Sequence, residues 1–394
     1  MKIQKIEARK ILDSRKEKTI EVSIEAGRSK FISSAPSGKS KGKFEAKSYA
    51  KSLKQDIDFL NNIKLKTLEK LKIEEFEDLR EVEALTERKI GANSLFALEA
   101  SILKALAAEQ EQELWQFLSR GKPKKFPYPV GNCIGGGLHT KELNGKKPDF
   151  QEFLIIPRTK LFCDNAFLMK KAHEEIGKIL ELRKSKGKLN DENSWSTSLN
   201  NEECLDILSK VADFLSDEAG CRVEIGTDIA SSSLFKDGFY IYKNKPQILN
   251  PKMQIDYLTE LAENYALHYI EDPLEEQDFV EFAVLRKKVI PLIVGDDLTA
   301  TNLLRLKKAF QNKSINALIV KPNQNGSLLK VKEICDFCKK QEIATVFSHR
   351  SGETLDNTIS DLAVAWGANF IKTGVLGKER EAKLQRIIEI EKSL

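Results

Sequence analysis

An α/β fold, a barrel of parallel strands preceded by a smaller α+β domain, is what this sequence predicts, and three observations predict it. The pattern changes near residue 120, from alternating runs and helical periodicity to strands that alternate with helices. The later strand runs are short and strongly apolar, as strands covered on both faces should be. Six of them end in charged side chains. A chain of 394 residues also has room for one small domain plus a barrel, which alone takes about 250.

Taken in order, residues 2–11, 19–26 and 31–34 alternate apolar and polar and read as an antiparallel meander. Residues 13–18 are its polar hairpin connection, and residues 35–42 form a loop with two glycines, small hydroxyls and two lysines. Helical periodicity runs almost throughout 45–120, most clearly from a helix start at Gly91-Ala92-Asn93-Ser94 through residues 95–118. The Pro-, Gly- and Lys-rich stretch 119–129 marks the boundary, dividing the chain into domains 1–122 and 123–394. Beyond it, strands are predicted at 150–157, 223–230, 267–273, 290–298, 317–322, 344–349 and 369–374. Helices are predicted at 253–266, 278–288, 302–312 and 328–341.

Composition is that of an ordinary soluble protein, with 31% charged and 41% hydrophobic residues. The net charge of +5 comes from 64 basic against 59 acidic side chains, and the lysines are scattered, so no nucleic-acid partner is expected. No run approaches ~18 apolar residues, so no membrane span is expected. The first residues alternate like a strand without an apolar signal core, and six cysteines are too sparse for a disulfide scaffold. A cytoplasmic location is therefore expected. Cys335 and Cys338 form a CxxC inside an amphipathic helix and read as incidental thiols on its face, since no second ligand pair follows.

The strand ends carry, in order, Asp228, Glu271-Asp272, Asp296-Asp297, Lys321, His349-Arg350 and Lys372. From Glu271 onward they recur at roughly 25 residues, about one strand-plus-helix unit of a closed barrel, so they point into one mouth. Asp272 and Asp297 also fit solvated strand ends or helix N-caps. Asp228, Glu271 and Asp296 form a hard oxygen site that favours Mg²⁺, and a cation between them relieves their mutual repulsion. Lys321 and Lys372 lie across the mouth. A free lysine, at pKa ~10.4, is a poor base near neutrality, but a metal and a second ammonium can lower it enough for proton abstraction beside a carboxylate. The run Ala317-Leu318-Ile319-Val320-Lys321-Pro322 places Lys321 on a buried strand.

These residues resemble the enolase family over nearly the whole chain. The resemblance rests on Leu12-Asp13-Ser14-Arg15, Pro36-Ser37-Gly38, Gly91-Ala92-Asn93, Gln151-Glu152-Phe153, Ile270-Glu271-Asp272-Pro273 and Gly295-Asp296-Asp297-Leu298. Its most specific part is the run from Ser348 to Thr354, followed by Ile371-Lys372-Thr373-Gly374. A lysine or histidine base working with magnesium is already the known pattern of the wider superfamily.

The resemblance implies reversible dehydration of 2-phosphoglycerate to phosphoenolpyruvate in glycolysis and gluconeogenesis, with two Mg²⁺ per site. Asp228, Glu271 and Asp296 would hold the first ion, and Ser40 would help bind the second as its loop closes on the phosphate. Lys321 would take the C2 proton, giving an enediolate stabilised by metal and Lys372. Glu192, with Glu152 beside it, would protonate the departing C3 hydroxyl. Gln151, Arg350 and Ser351 would bind substrate, and His139 and His349 would sit near it. For His139 a surface loop fits equally well. The resemblance also implies a barrel that begins atypically with an early antiparallel strand, and a homodimer or an octamer of dimers.

The chain departs from the family pattern in four places. The glycines around the acid are replaced in Asn190-Asp191-Glu192-Asn193-Ser194, which leaves Glu202 and Glu203 as rivals for that role. Lys39 and Lys41 add charge to the mobile loop, and Lys141, Lys146 and Lys147 lengthen another at the mouth. Arg15 is followed by Lys16-Glu17-Lys18, and the chain stops soon after the last helix. Two other readings are a superfamily enzyme acting on another carboxylate and a non-catalytic binding protein. Phosphate-binding Arg350 and Ser351 argue against the first, and the intact set of metal carboxylates and lysines against the second.

Overall fold

The computed structural model describes the whole chain except residues 40, 41, 120, 122 and 124. It opens with an antiparallel meander, β1 (Ile3–Leu12), β2 (Lys18–Ala26) and β3 (Ser29–Ser34), whose order in the sheet is its order in the chain. Asp13 builds the first turn by accepting the backbone N–H groups of Arg15 and Glu17, both at 2.9 Å. Helices α1 (Leu53–Asn61), α2 (Leu65–Leu68), α3 (Leu79–Thr86), α4 (Ala92–Glu109) and α5 (Leu114–Ser119) follow. Helix α4 lies across the meander, where Ser101 Oγ donates to the Val22 carbonyl at 2.9 Å, and it buries Phe96, Ala97, Ala100 and Leu103.

The helical stretch expected over 95–118 is broken. Glu111 turns left-handed (φ 55°) and the Gln112 N–H returns to the Ala107 carbonyl at 2.9 Å, which ends α4 before α5 starts. The polar run 109–113 has no apolar face to continue the helix. Residues 45–52 likewise form turns, which dock on the start of α4. Buried Asp56 accepts from Gly91 N and Ser94 Oγ, each at 2.7 Å, placing a carboxylate at that helix's N-terminus. A Cβ on Gly91 would lie 2.3 Å from Tyr49 Cα. Gly91→Ala is therefore expected to cost about 3 kcal/mol of stability, read as a lower denaturation midpoint. A loss under about 1 kcal/mol would show that the segment yields.

The second part is a closed barrel of eight strands. They are β4 (Tyr128–Gly135), β5 (Glu152–Pro157), β8 (Val223–Asp228), β12 (Tyr269–Glu271), β13 (Leu292–Gly295), β14 (Ala317–Val320), β15 (Ala344–Ser348) and β16 (Phe370–Lys372). That is also their order around the barrel, and β16 pairs with β4 to close it. Strand β5 runs antiparallel to both neighbours, and every other pairing in the barrel wall is parallel. The early antiparallel strand expected from the resemblance is β5.

Two short strands, β6 (Lys186–Leu189) and β7 (Trp195–Thr197), extend the sheet beside β4. A small separate sheet, β9 (Phe235–Lys236), β10 (Phe239–Tyr242) and β11 (Gln247–Leu249), follows β8. The remaining helices are α6 (Phe162–Leu182), α7 (Asn201–Ala219), α8 (Pro251–Asn264), α9 (Phe279–Lys288), α10 (Leu303–Asn312), α11 (Pro322–Asn325), α12 (Leu328–Lys340), α13 (Thr358–Ala365) and α14 (Lys378–Lys392). The barrel interior is filled by Val130, Leu154, Ile156, Tyr269, Val294, Ala317, Ile319, Val346 and Phe370, so it is a packed core and not a pore. Cys335 and Cys338 are buried on the inner side of α12. Among the described residues no helix is long and apolar enough to cross a membrane.

The two parts meet at the barrel mouth. Ser14 N donates to the Glu353 carbonyl at 2.8 Å, and Ser37 and Gly352 exchange backbone bonds at 2.7 and 2.8 Å. The meander's first turn thus sits on the loop that follows β15.

Candidate active site

Parallel strands deliver the side chains at their carboxyl ends to one rim. Because β5 runs the other way, its first residue reaches that same rim, and Glu152 pairs with Asp228. Asp228 in turn pairs with Glu271. A cavity of about 260 Å³ opens there, suited to a small molecule. His139, Gln151, Glu152, Glu192, Asp228, Asp296, Lys321, His349, Arg350, Ser351 and Lys372 line it. Glu271 lies in the wall of this site, fully buried, and bonds to the lining residue Lys372. Ser40 lies outside the described residues.

Lys372 stands among three carboxylates, with Nζ 2.8 Å from Glu271 Oε2, 2.9 Å from Glu152 Oε2 and 3.1 Å from Asp228 Oδ2. Burial works to lower its pKa, but these carboxylates hold it well above the ordinary lysine range. Lys321 is paired with Asp296. Burial also acts to lower Lys321, yet Asp296 leaves it above its usual value, the reverse of what a base needs. Lys321 can act as a base only when Asp296 is engaged elsewhere.

Two of the three predicted metal carboxylates, Glu271 and Asp296, keep an oxygen without a partner. Burial, then the Asp228 charge, push Glu271 up to about 8. Its Oε2 accepts from Tyr269 Oη at 2.6 Å and from Lys372, while Oε1 has no partner, and neither has buried Asp296 Oδ1. Unpaired buried carboxylate oxygens in an all-oxygen donor set fit a magnesium ion. Two other groups bring their donor atoms within 4.8 Å of one another: Asp272 with Asp296 and Asp297, and His139 with Glu152 and Glu192.

Asp272 is not a solvated strand end. It is buried at φ 41° and accepts the N–H groups of Asp296 and Asp297 at 2.9 and 2.7 Å, so both its oxygens already fix the neighbouring strand end. Asp297 lines the cavity, and burial followed by the Asp296 charge brings it to about 7.

On the far side, His139 is buried at the end of a short 3₁₀ turn, with Nδ1 3.2 Å from Glu192 Oε1 and 3.8 Å from Glu152 Oε1. The surface-loop alternative for His139 is thereby excluded. Lys147, in the lengthened loop, pins this turn by donating to the carbonyls of Gly137 (2.5 Å) and Thr140 (3.0 Å). The 190–194 loop manages without glycines. Asn190 Oδ1 accepts from Glu192 N at 2.9 Å and Ser194 N at 3.1 Å, and Asn193 takes the left-handed conformation (φ 60°) that asparagine tolerates. Glu192 is 2% exposed as a result. Glu202 pairs with Lys245 at 2.8 Å and Glu203 closes a capping box on α7, so neither rival reaches the cavity. Burial, then adjacent carboxylates, push Glu152 well above its ordinary range, against the pull of Lys372. Burial opposes ionisation of Glu192 too, but His139 holds it well below. Of this pair, Glu152 is the one whose surroundings favour the protonated form.

At the third side, Ser351 Oγ accepts from Lys39 N at 2.7 Å and from Arg15 Nη1 at 3.2 Å. Arg350 is 5% exposed and its Nη2 contacts both oxygens of Glu45, at 3.1 and 3.0 Å. Sequence reasoning missed Glu45, since nothing local ties it to a partner 305 residues away. It also missed Tyr269, whose alternation with Glu271 along β12 was the available signal.

Two family models match this chain: the one described as "Enolase, C-terminal TIM barrel domain" over residues 123–394, and the one described as "Enolase, N-terminal domain" over residues 3–118. Among curated proteins, the Enolase of Methanocorpusculum labreanum is 38% identical over 400 residues, covering 99% of this chain and 98% of that one. The Enolase of Archaeoglobus fulgidus is 35% identical over 396 residues, covering 99% and 97%. That of Methanosphaera stadtmanae is 36% identical over 405 residues, covering 100% and 97%.

Proposed function

This chain belongs to the enolase family, and from that premise we propose how its residues divide the work of a hydro-lyase that interconverts 2-phosphoglycerate and phosphoenolpyruvate. One observation carries the division. Around the barrel, β5 and β14 are separated by β8, β12 and β13 one way and by β4, β16 and β15 the other. Glu152 and Lys321, at the ends of those strands, therefore face each other across the mouth.

Lys321 removes the C2 proton from one face of the substrate. The negative charge that spreads onto the carboxylate as an enediolate lies toward Lys372, a cation already fixed among acidic groups. Glu192 takes a proton from Glu152 and passes it to the leaving C3 hydroxyl from the opposite face. Arg350 and Ser351 hold the phosphate, a fork and a hydroxyl that suit three acceptor oxygens. Gln151, His139 and His349 complete the enclosure. Asp228, Glu271 and Asp296 would hold one magnesium ion and Ser40 would contribute to a second. Bound there, magnesium supplies Lewis-acid stabilisation of charge on the substrate carboxylate. We further propose a division into domains 1–122 and 123–394, a homodimer or octamer of dimers, and a cytoplasmic setting.

The test follows absorbance as phosphoenolpyruvate forms from 2-phosphoglycerate. Turnover is expected with millimolar Mg²⁺, to vanish in excess chelator and to return when Mg²⁺ is restored. No turnover at saturating substrate and metal would overturn the reading.

A further inference from the structure

Arg380, in the first turn of α14, is the bulkiest fully buried side chain among the described residues. A buried guanidinium is normally matched by a carboxylate, because desolvating it alone is costly. Among the described residues no carboxylate pairs with it. Its Nη2 donates to the Ser351 carbonyl at 3.1 Å, while Nε and Nη1 find no protein partner.

Two other buried atoms are equally unpartnered, His349 Nδ1 and, in the residue before Gly374, Thr373 Oγ1. Gly374 locates the imidazole. A Cβ on this residue, at φ 74°, would lie 3.0 Å from Arg380 Nε and 3.3 Å from His349 Cε1, and Thr373 precedes it directly. Arg380 and His349 thus face each other across a backbone point where only glycine fits.

The unpartnered atoms are chemically complementary. Arginine nitrogens only donate, a hydroxyl does both, and Nδ1 of a neutral imidazole accepts when the ring proton is on Nε2. We propose that Arg380 is a positioning residue: with Thr373 it holds a buried water against His349 Nδ1, fixing the ring proton on Nε2, toward the cavity. A water that accepts from Arg380 can donate one hydrogen to Nδ1 and the other to Thr373 Oγ1. The opposite tautomer would set an N–H against donors. The charged surroundings agree. Burial holds His349 well below the usual imidazole range, helped by Arg380, Lys372 and Lys321 and opposed by Glu192. That His349 then serves dehydration rests on the enolase reading; the tautomer does not.

The test is long-range ¹H–¹⁵N correlation of the imidazoles in the ¹⁵N-labelled full chain, which has four histidines, with His349 assigned by His349→Asn. The native protein is expected to show His349 neutral, with its proton on Nε2, from about pH 6 to 8. Arg380→Met and Thr373→Val should each shift the Nδ1 resonance and move titration up toward ordinary histidine. Turnover of Arg380→Met should fall about tenfold or more with little change in KM, and Arg380→Lys or free guanidinium should restore part of it. Unchanged Nδ1 shift and titration in both variants would overturn the proposal, and if Arg380→Met fails to fold, Thr373→Val decides alone. A native protein that shows the tautomer and its response but no turnover would sink the enolase reading and leave this one standing.

Discussion

Lys321→Ala is expected to lower turnover about ten-thousand-fold and to abolish exchange of the C2 proton with solvent. The size follows from the site's composition. Lys372 is committed to Glu271, Glu152 and Asp228 at 3.1 Å or less, and its pKa is held well above the lysine range, so it cannot take over as base. No other lysine among the described residues lies at the end of a barrel strand beside the carboxylates. Washout of deuterium from C2-labelled substrate, followed by NMR, reads the step directly. Magnesium titration by calorimetry should remain close to native, because the carboxylate oxygens left without partners are untouched. Exchange within tenfold of native would remove Lys321 as the base.

The second large effect separates the two halves of the reaction. Glu192→Gln is expected to block dehydration by about a thousandfold while C2 exchange persists, since the base stands across the mouth. Glu152→Gln should also slow dehydration, and by less. It keeps the uncharged form that burial favours in Glu152, but removes a transferable proton. Both readouts come from one labelled substrate, as loss of C2 label against formation of phosphoenolpyruvate. If exchange and dehydration fall together in Glu192→Gln, the acid and base assignments must be redrawn.

Much of this architecture is legible in the sequence because parallel strands leave a simple trace. A short apolar run that ends in a charged residue shows both the buried strand and the direction of its last side chain, so Asp228, Glu271, Asp296, Lys321 and Lys372 stand out. The first barrel strand does not. β4 contains Pro129, Gly131 and Gly135, and its opening residues lie inside the stretch that composition marks as a boundary. The helices α6 and α7 and the small sheet after β8 likewise escape the pattern. Asp272 is left ambiguous by the sequence because its role, fixing two backbone N–H groups of the next strand, exists only once β12 and β13 pair. Glu45 and Arg380 are invisible for the same reason: their neighbours are set by packing, not by spacing. The 190–194 loop shows the converse. Loss of three glycines looks disruptive, yet one asparagine side chain and one left-handed asparagine rebuild the turn locally.

The docking of the meander's first turn on the loop after β15 has a consequence for how the molecule comes to life. Arg15 reaches Ser351, Ser14 anchors Glu353 and Glu45 contacts Arg350, so the earliest and latest parts of the chain finish the same rim. As synthesis proceeds from the N-terminus, the meander and its helices are complete long before β15 and β16 emerge. The reaction chamber is therefore complete only once the last strands close the barrel beneath that rim. Truncations that spare every carboxylate but stop short of β16 would leave a ribosome-released chain with ligands and no chamber.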